Sequence, residues 1–322
     1  MPLVPSNYNP PFLFRNGHFS TIYAGVIRRV HGLLQKRERL ELSDGDFMDL
    51  DWSDSRLPTQ KVAILLHGLE GDAQRHYITG SAKKLNYNHY DVCAVNFRGC
   101  SGVPNRLYRS YHSGVTEDLI EVIQHVLNTR DYNEIYLLGF SLGGNLSLKY
   151  LGEGNHVPHQ LKAAVAVSVP CDLKDACDQL LSSKNVLYSA RFKKHLLAKL
   201  RTKRKQFPDK ITEQKIKAIV TLKDFDDTYT APAHGFNNAL DYYTNCSSNQ
   251  FLEKISVPTL ILNAKNDTFL GAKCFPYKEA EKNPHLYLEA PDFGGHVGFW
   301  GRKNSSYAEK RAVEFFNSVH LW

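Results

Sequence analysis

The sequence contains no apolar run long enough to cross a bilayer as a helix, which takes about 18 residues or more. Its first residues, MPLVPSNYNPPFLFRNGHF, set prolines where a secretory signal needs a charged region followed by an apolar core. Both absences predict a cytoplasmic protein, at most peripheral to a membrane. The six cysteines, at 93, 100, 171, 177, 246 and 274, include no C-x-x-C pair, and several lie inside apolar runs. Reduced thiols fit that distribution better than a zinc site or a disulfide framework. No internal repeat, low-complexity tract, zinc finger or RNA-binding aromatic platform is present, so the formal charge of +7 does not by itself indicate nucleic acid.

What the chain does have is an ordinary apolar content, 42% of 322 residues, enough for one α/β domain with an inserted lobe. The positive charge is concentrated. Arg191 to Lys205 carries eight basic residues and no acidic one, and Tyr188, Phe192, Leu196, Leu197 and Leu200 recur at helical spacing. This predicts a basic amphipathic helix. It either packs its apolar face on the protein and solvates the basic one, or makes weak contact with an anionic lipid surface.

Prolines from Pro2 to Pro11 oppose regular structure, and the aromatics of Phe12 to Ile27 predict an arm, over about residues 1–30, strapped onto the main body. Arg37 to Leu42 and Phe47 to Trp52 alternate around Ser43-Asp44-Gly45-Asp46, a hairpin signal. Lys61 to Leu66, Asp91 to Phe97, Glu134 to Leu138, Leu161 to Val169, Pro258 to Asn263 and Leu286 to Glu289 read as strands. Helical patterns over Tyr77 to Leu85 and Val115 to Leu127 alternate with the first of them. Continuous apolar strands alternating with helices predict an α/β fold with a mostly parallel sheet covered on both faces. From Pro170 to Ile255 that rhythm breaks, which predicts a lid inserted on the ligand side of the sheet.

The decisive stretch is Glu134 to Leu148. A strand leads into Gly139-Phe140-Ser141-Leu142-Gly143 and then into a helical pattern, so G-x-S-x-G lies at a strand-to-helix turn. That order is the nucleophile elbow, with Ser141 held above the sheet edge. A serine hydroxyl needs a base, and the base needs an orienting acid. His296, in the loop Pro291 to Phe299 after the last strand, supplies the base, and Asp267, after the strand ending at Asn263, the acid. Asp292 is a weaker choice, lying too close in sequence to His296. The N–H groups of Leu69 and Leu142 are the expected oxyanion donors. His67 reads as structural, and Cys100 lacks an elbow. The constellation requires no metal or organic cofactor.

Taken together these residues resemble the α/β-hydrolase superfamily, and in detail its YheT-like branch, related to the mammalian ABHD lipases. The resemblance runs nearly end to end, through Arg15-Asn16-Gly17-His18 with Thr21, His67 to Gly71, Asn96 to Gly102, Tyr111 to Gly114, Gly139 to Asn145 and Gly294 to Phe299. Inside the lid it includes Asp224 to Asp227, Thr230 to Pro232 and His234 to Phe236. One block departs: the family's usual Asp-Asp-Pro-Phe is here Asn266-Asp267-Thr268-Phe269. The resemblance implies esterase or lipase-like activity on acyl esters; with Ser141, His296 and Asp267 and the apolar residues of the lid, the reading is a serine hydrolase acting on acyl esters of lipid-like or medium chain length through an acyl-enzyme. It leaves acyl transfer to an alcohol as the alternative, and a catalytically silent binding module as the third reading.

Overall fold

The structure is a computed structural model that describes residues 3–154 and 156–319; Met1 and Pro2 of the expected arm lie outside the described residues. Nine strands form one sheet: β1 (Leu3–Val4), β2 (Lys36–Glu41), β3 (Phe47–Ser53), β4 (Lys61–Leu66), β5 (Asp91–Asn96), β6 (Glu134–Phe140), β7 (Leu161–Val167), β8 (Thr259–Leu262) and β9 (Leu286–Glu289). Their order is β1-β9-β8-β7-β6-β4-β5-β3-β2, which makes β6 the central strand. From β5 across to β1 every pairing is parallel, while β2 and β3 form the antiparallel edge that the hairpin pattern predicts.

Each face of the sheet is covered, as continuous apolar strands require. Helices Thr116–Thr129 and Leu142–Gly152 bury Leu119, Val122, Ile123 and Leu146 on one face. Helices His76–Asn86 and Tyr307–Ser318 bury Ile78, Leu85, Phe315 and Phe316 on the other. Side chains of this size each contribute about 1.5–3 kcal/mol when fully buried, so the two layers fix the strand ends at which loops emerge.

One expectation needs correction. Prolines do not keep the arm free of regular structure, because Leu3–Val4 pairs with β9. A two-residue strand at a sheet edge tolerates the neighbouring Pro5, which would break a central ladder. The whole of β3 is buried. Asp49 and Asp51 are covered there by Arg39 and Arg37, paired at 2.9 and 2.6 Å.

Between β7 and β8 the described chain is helical, with Leu173–Leu181, Val186–Gln206 and Ala239–Cys246 the longest pieces. Capping sets the starts of the first and last of these: the Asp172 and Asn238 side chains each accept from the backbone N–H three residues on. Leu196, Leu200, Ile211, Ile216, Leu222 and Phe225 form a core of their own, against which Leu69 of the β4 loop packs. None of the described helices is long and apolar enough to cross a membrane.

Candidate active site

Ser141 follows the last residue of β6 and is the N-cap of helix Leu142–Gly152, at φ 52°, ψ −118°. Such a conformation costs a non-glycine residue about 1–3 kcal/mol, and it holds only where the surroundings over-determine it. They do so here. The Ser141 N–H donates to Val167 O at 2.8 Å and its carbonyl accepts from Asn145 N–H at 3.0 Å. Gly143 lets the helix start against the end of β4, where a Cβ would collide with the carbonyls of Leu66 and His67.

His296 Nε2 lies 3.0 Å from Ser141 Oγ, and His296 Nδ1 lies 2.8 Å from Asp267 Oδ2. Asp267 and His296 are both buried. The other Asp267 oxygen accepts the Phe269 N–H at 2.9 Å, and the Phe269 ring packs on the imidazole at 4.3 Å. This arrangement assigns the Nδ1–H tautomer to His296, which leaves Nε2 free to accept the serine proton. Asp292 is elsewhere, exposed and paired with Lys265 at 2.8 Å.

Leu69 and Leu142 line the same cavity as Ser141 and His296. Their N–H groups have no hydrogen-bond partner among the described residues. In Leu142 this follows from its place as the first residue of a helix. The loop before Leu69 is held by His67, whose Nδ1–H donates to Gly68 O at 2.8 Å while Nε2 accepts from Phe97 N–H at 3.2 Å. Burial pushes the His67 pKa down to about 3, so the ring stays neutral and acts as a strut, as the sequence reading expects. Burial likewise pushes the Cys100 thiol up to about 11, which leaves it protonated and poorly nucleophilic. All six cysteines are free and buried.

Several contributors are not legible as site residues in the sequence. Thr21 Oγ1 accepts from the backbone N–H of His296 at 2.8 Å and donates to Gly17 O at 2.7 Å. Asn266 spans Gly295 N–H, at 3.0 Å, and Arg15 O, at 2.8 Å. The N-terminal segment from Arg15 through helix Gly17–Ile22 therefore braces both the histidine loop and the acid loop. The only signal for it was the resemblance of Arg15 to His18, with Thr21, to a family block. Helix Val186–Gln206 also reaches inward. Lys199 Nζ meets Glu70 Oε1 at 2.9 Å and Cys100 Sγ at 3.1 Å, and Lys203 is buried against the carbonyls of Asn105 and Leu107. The basic face expected to be solvated is thus partly turned onto the protein.

The cavity encloses about 700 Å³ and is mostly apolar. Phe192, Leu196, Phe225, Tyr229 and Phe269 are among the residues on its walls. A family model of the alpha/beta hydrolase fold matches residues 62–303, most of the chain. The chain belongs to the α/β-hydrolase fold family. This α/β-hydrolase is 34% identical over 293 residues to YheT of Escherichia coli K12, covering 89% of this chain and 85% of that protein. It is 32% identical over 311 residues to medium-chain fatty acid ethyl ester synthase/esterase 2 of Saccharomyces cerevisiae, covering 88% of this chain and 66% of that one. Among solved structures, the Pyrococcus furiosus esterase Pf2001 shares the fold, with a TM-score of 0.59 at 16% identity over 90% of this chain and 97% of that chain.

Proposed function

We propose that this α/β-hydrolase is a serine esterase that cleaves carboxylic esters with an apolar acyl chain through an acyl-enzyme. One observation carries the reading. An unbroken hydrogen-bond chain, Asp267 to His296 to Ser141, ends on a strained serine at the wall of a largely apolar cavity. His296 takes the proton of Ser141 as Oγ attacks the ester carbonyl, and the N–H groups of Leu69 and Leu142 receive the oxyanion. The imidazolium, steadied by Asp267, then protonates the leaving alcohol. A water deprotonated by His296 attacks the acyl-enzyme and releases the acid, restoring Ser141.

In this reading the helical segment between β7 and β8 is a lid whose aromatic and aliphatic side chains wall the acyl site. A cavity of about 700 Å³ falls in the range of small-molecule sites and accommodates a medium-length chain with its head group. The name of the yeast relative, both synthase and esterase, favours a second reading in which an alcohol replaces water in the final step.

A fluorophosphonate probe that labels wild type and not Ser141→Ala, together with turnover across esters of graded acyl length, tests the main reading. Unlabelled wild type, or a Ser141→Ala variant that keeps its turnover, refutes it. Adding ethanol and measuring free acid against ethyl ester decides between hydrolysis and transfer.

A further inference from the structure

Two segments frame one side of the cavity. Ile22 and Val26 line it from the N-terminal segment, and Tyr188 and Arg191 from helix Val186–Gln206. The segments meet where the His18 ring stacks on Tyr188 at 5.7 Å. In the same two segments large apolar side chains stand in solvent. Phe12 is 82% exposed and Leu13 64%, while Val186 is 61% and Leu187 81% exposed. Single exposed leucines are common on any protein surface. Large ones in two segments that meet at one cavity call for an occupant.

The charge of the same segments is one-sided. Residues 12–35 hold Arg15, Arg28 and Arg29 and no acidic residue; residues 179–208 hold nine Lys and Arg and no Asp or Glu. Some of these cations are used internally, since Arg28 pairs with Glu309 and Lys199 with Glu70. Lys184, Arg191 and Lys194 are exposed. A second copy of the chain would bring two such cationic segments together, which like charge opposes. A surface of negative charge with an apolar interior satisfies both features at once.

We propose that this rim is a docking surface for a membrane containing anionic lipid. Phe12, Leu13, Val186 and Leu187 enter the interface, and Lys184, Arg191 and Lys194 meet the head groups. The docking element is thus the junction of the N-terminal segment with the start of the lid helix, not the basic face of that helix alone. The choice of a lipid occupant over a protein rests on the acyl-ester reading above, because Ile22 and Val26 place the same rim against the cavity that would receive an acyl chain.

The test is co-sedimentation with vesicles of phosphatidylcholine alone and of phosphatidylcholine mixed with phosphatidylglycerol, at low and high salt. Wild type is expected to pellet with the phosphatidylglycerol vesicles at low salt and to be released by high salt. The pairs Phe12→Ser with Leu187→Ser, and Lys184→Glu with Lys194→Glu, should each weaken binding by about tenfold. Both should keep the wild-type melting temperature and the turnover of a soluble short-chain ester. Absence of salt-sensitive binding by wild type overturns the proposal, and so does binding that neither pair weakens. If the first pair instead dissolves a dimer in solution and vesicles bind nothing, the rim belongs to a second copy and the proposal fails. Vesicle binding is read without turnover, so an inactive wild type that still binds would sink the esterase reading alone.

Discussion

Replacing Ser141 or His296 by alanine should lower kcat/KM for an ester by about a thousandfold or more, and the double variant should be little worse than either, because the two act as one unit. Losses that multiply would refute that. Asp267→Asn should be severe but milder, and Asp292→Asn silent, since Asp292 is spent on a surface pair with Lys265. Thr21→Val removes the acceptor of the His296 N–H. It is expected to lower kcat by about tenfold while KM holds, with Thr21→Ser restoring the rate. A Thr21→Val enzyme that changes only KM would place Thr21 outside the positioning network. Asp226 offers a test of burial at a single residue. Desolvation lifts its pKa to about 6, although Tyr243 donates to it at 2.7 Å. An acid whose folded pKa is raised destabilises the fold in its charged form, so its cost builds as pH rises from the ordinary carboxylate range to about 6 and is full above that. Asp226→Asn, which keeps an acceptor for Tyr243, should raise the melting temperature by a few degrees at pH 7.5 and by less at pH 4.5.

Among the elements, helix Val186–Gln206 departs furthest from its sequence pattern. Helical periodicity places Leu196 and Leu200 inward, and both are buried. Periodicity does not reveal that Lys203 is buried as well, its ammonium held by three oxygen acceptors of Asn105 and Leu107 with its pKa lowered to about 8 by desolvation. Lys203→Glu is therefore expected to destabilise the protein by about 3 kcal/mol or more, through a buried charge facing carbonyl oxygens. Lys194→Glu, at an exposed position, should stay within about 0.5 kcal/mol by urea denaturation. Equal losses would mean that the inward turn of Lys203 is not what holds the helix. The same helix sets Lys199 on Glu70, one residue beyond the proposed oxyanion donor Leu69. It thereby ties the segment between β7 and β8 to the loop after β4.

For the molecule as a whole, specificity should climb by about 0.8 kcal/mol for each methylene the cavity buries and fall once the cavity is full, as kcat/KM across straight-chain esters would record. A flat profile would mean that the apolar walls do not hold the acyl chain. Much of this molecule was legible in its sequence. Apolar runs marked every strand from β4 to β9 within a few residues, because strands buried on both faces must be continuously apolar. Ser141, Asp267 and His296 were readable because a strand-to-helix turn and two loops after strands are local patterns whose order along the chain is fixed by the fold. What the sequence could not determine was which distant groups meet. Thr21 holds the loop of His296 across 275 residues, and Lys199 finds Glu70 across 129. Neither pairing leaves a periodic trace, since a hydrogen bond between remote segments constrains one residue at each end and nothing between. The burial of Lys203 and the exposure of Leu187 both invert what residue type alone suggests. Only tertiary packing decides them, because a helix presents every side and the neighbours it acquires choose which side is wet.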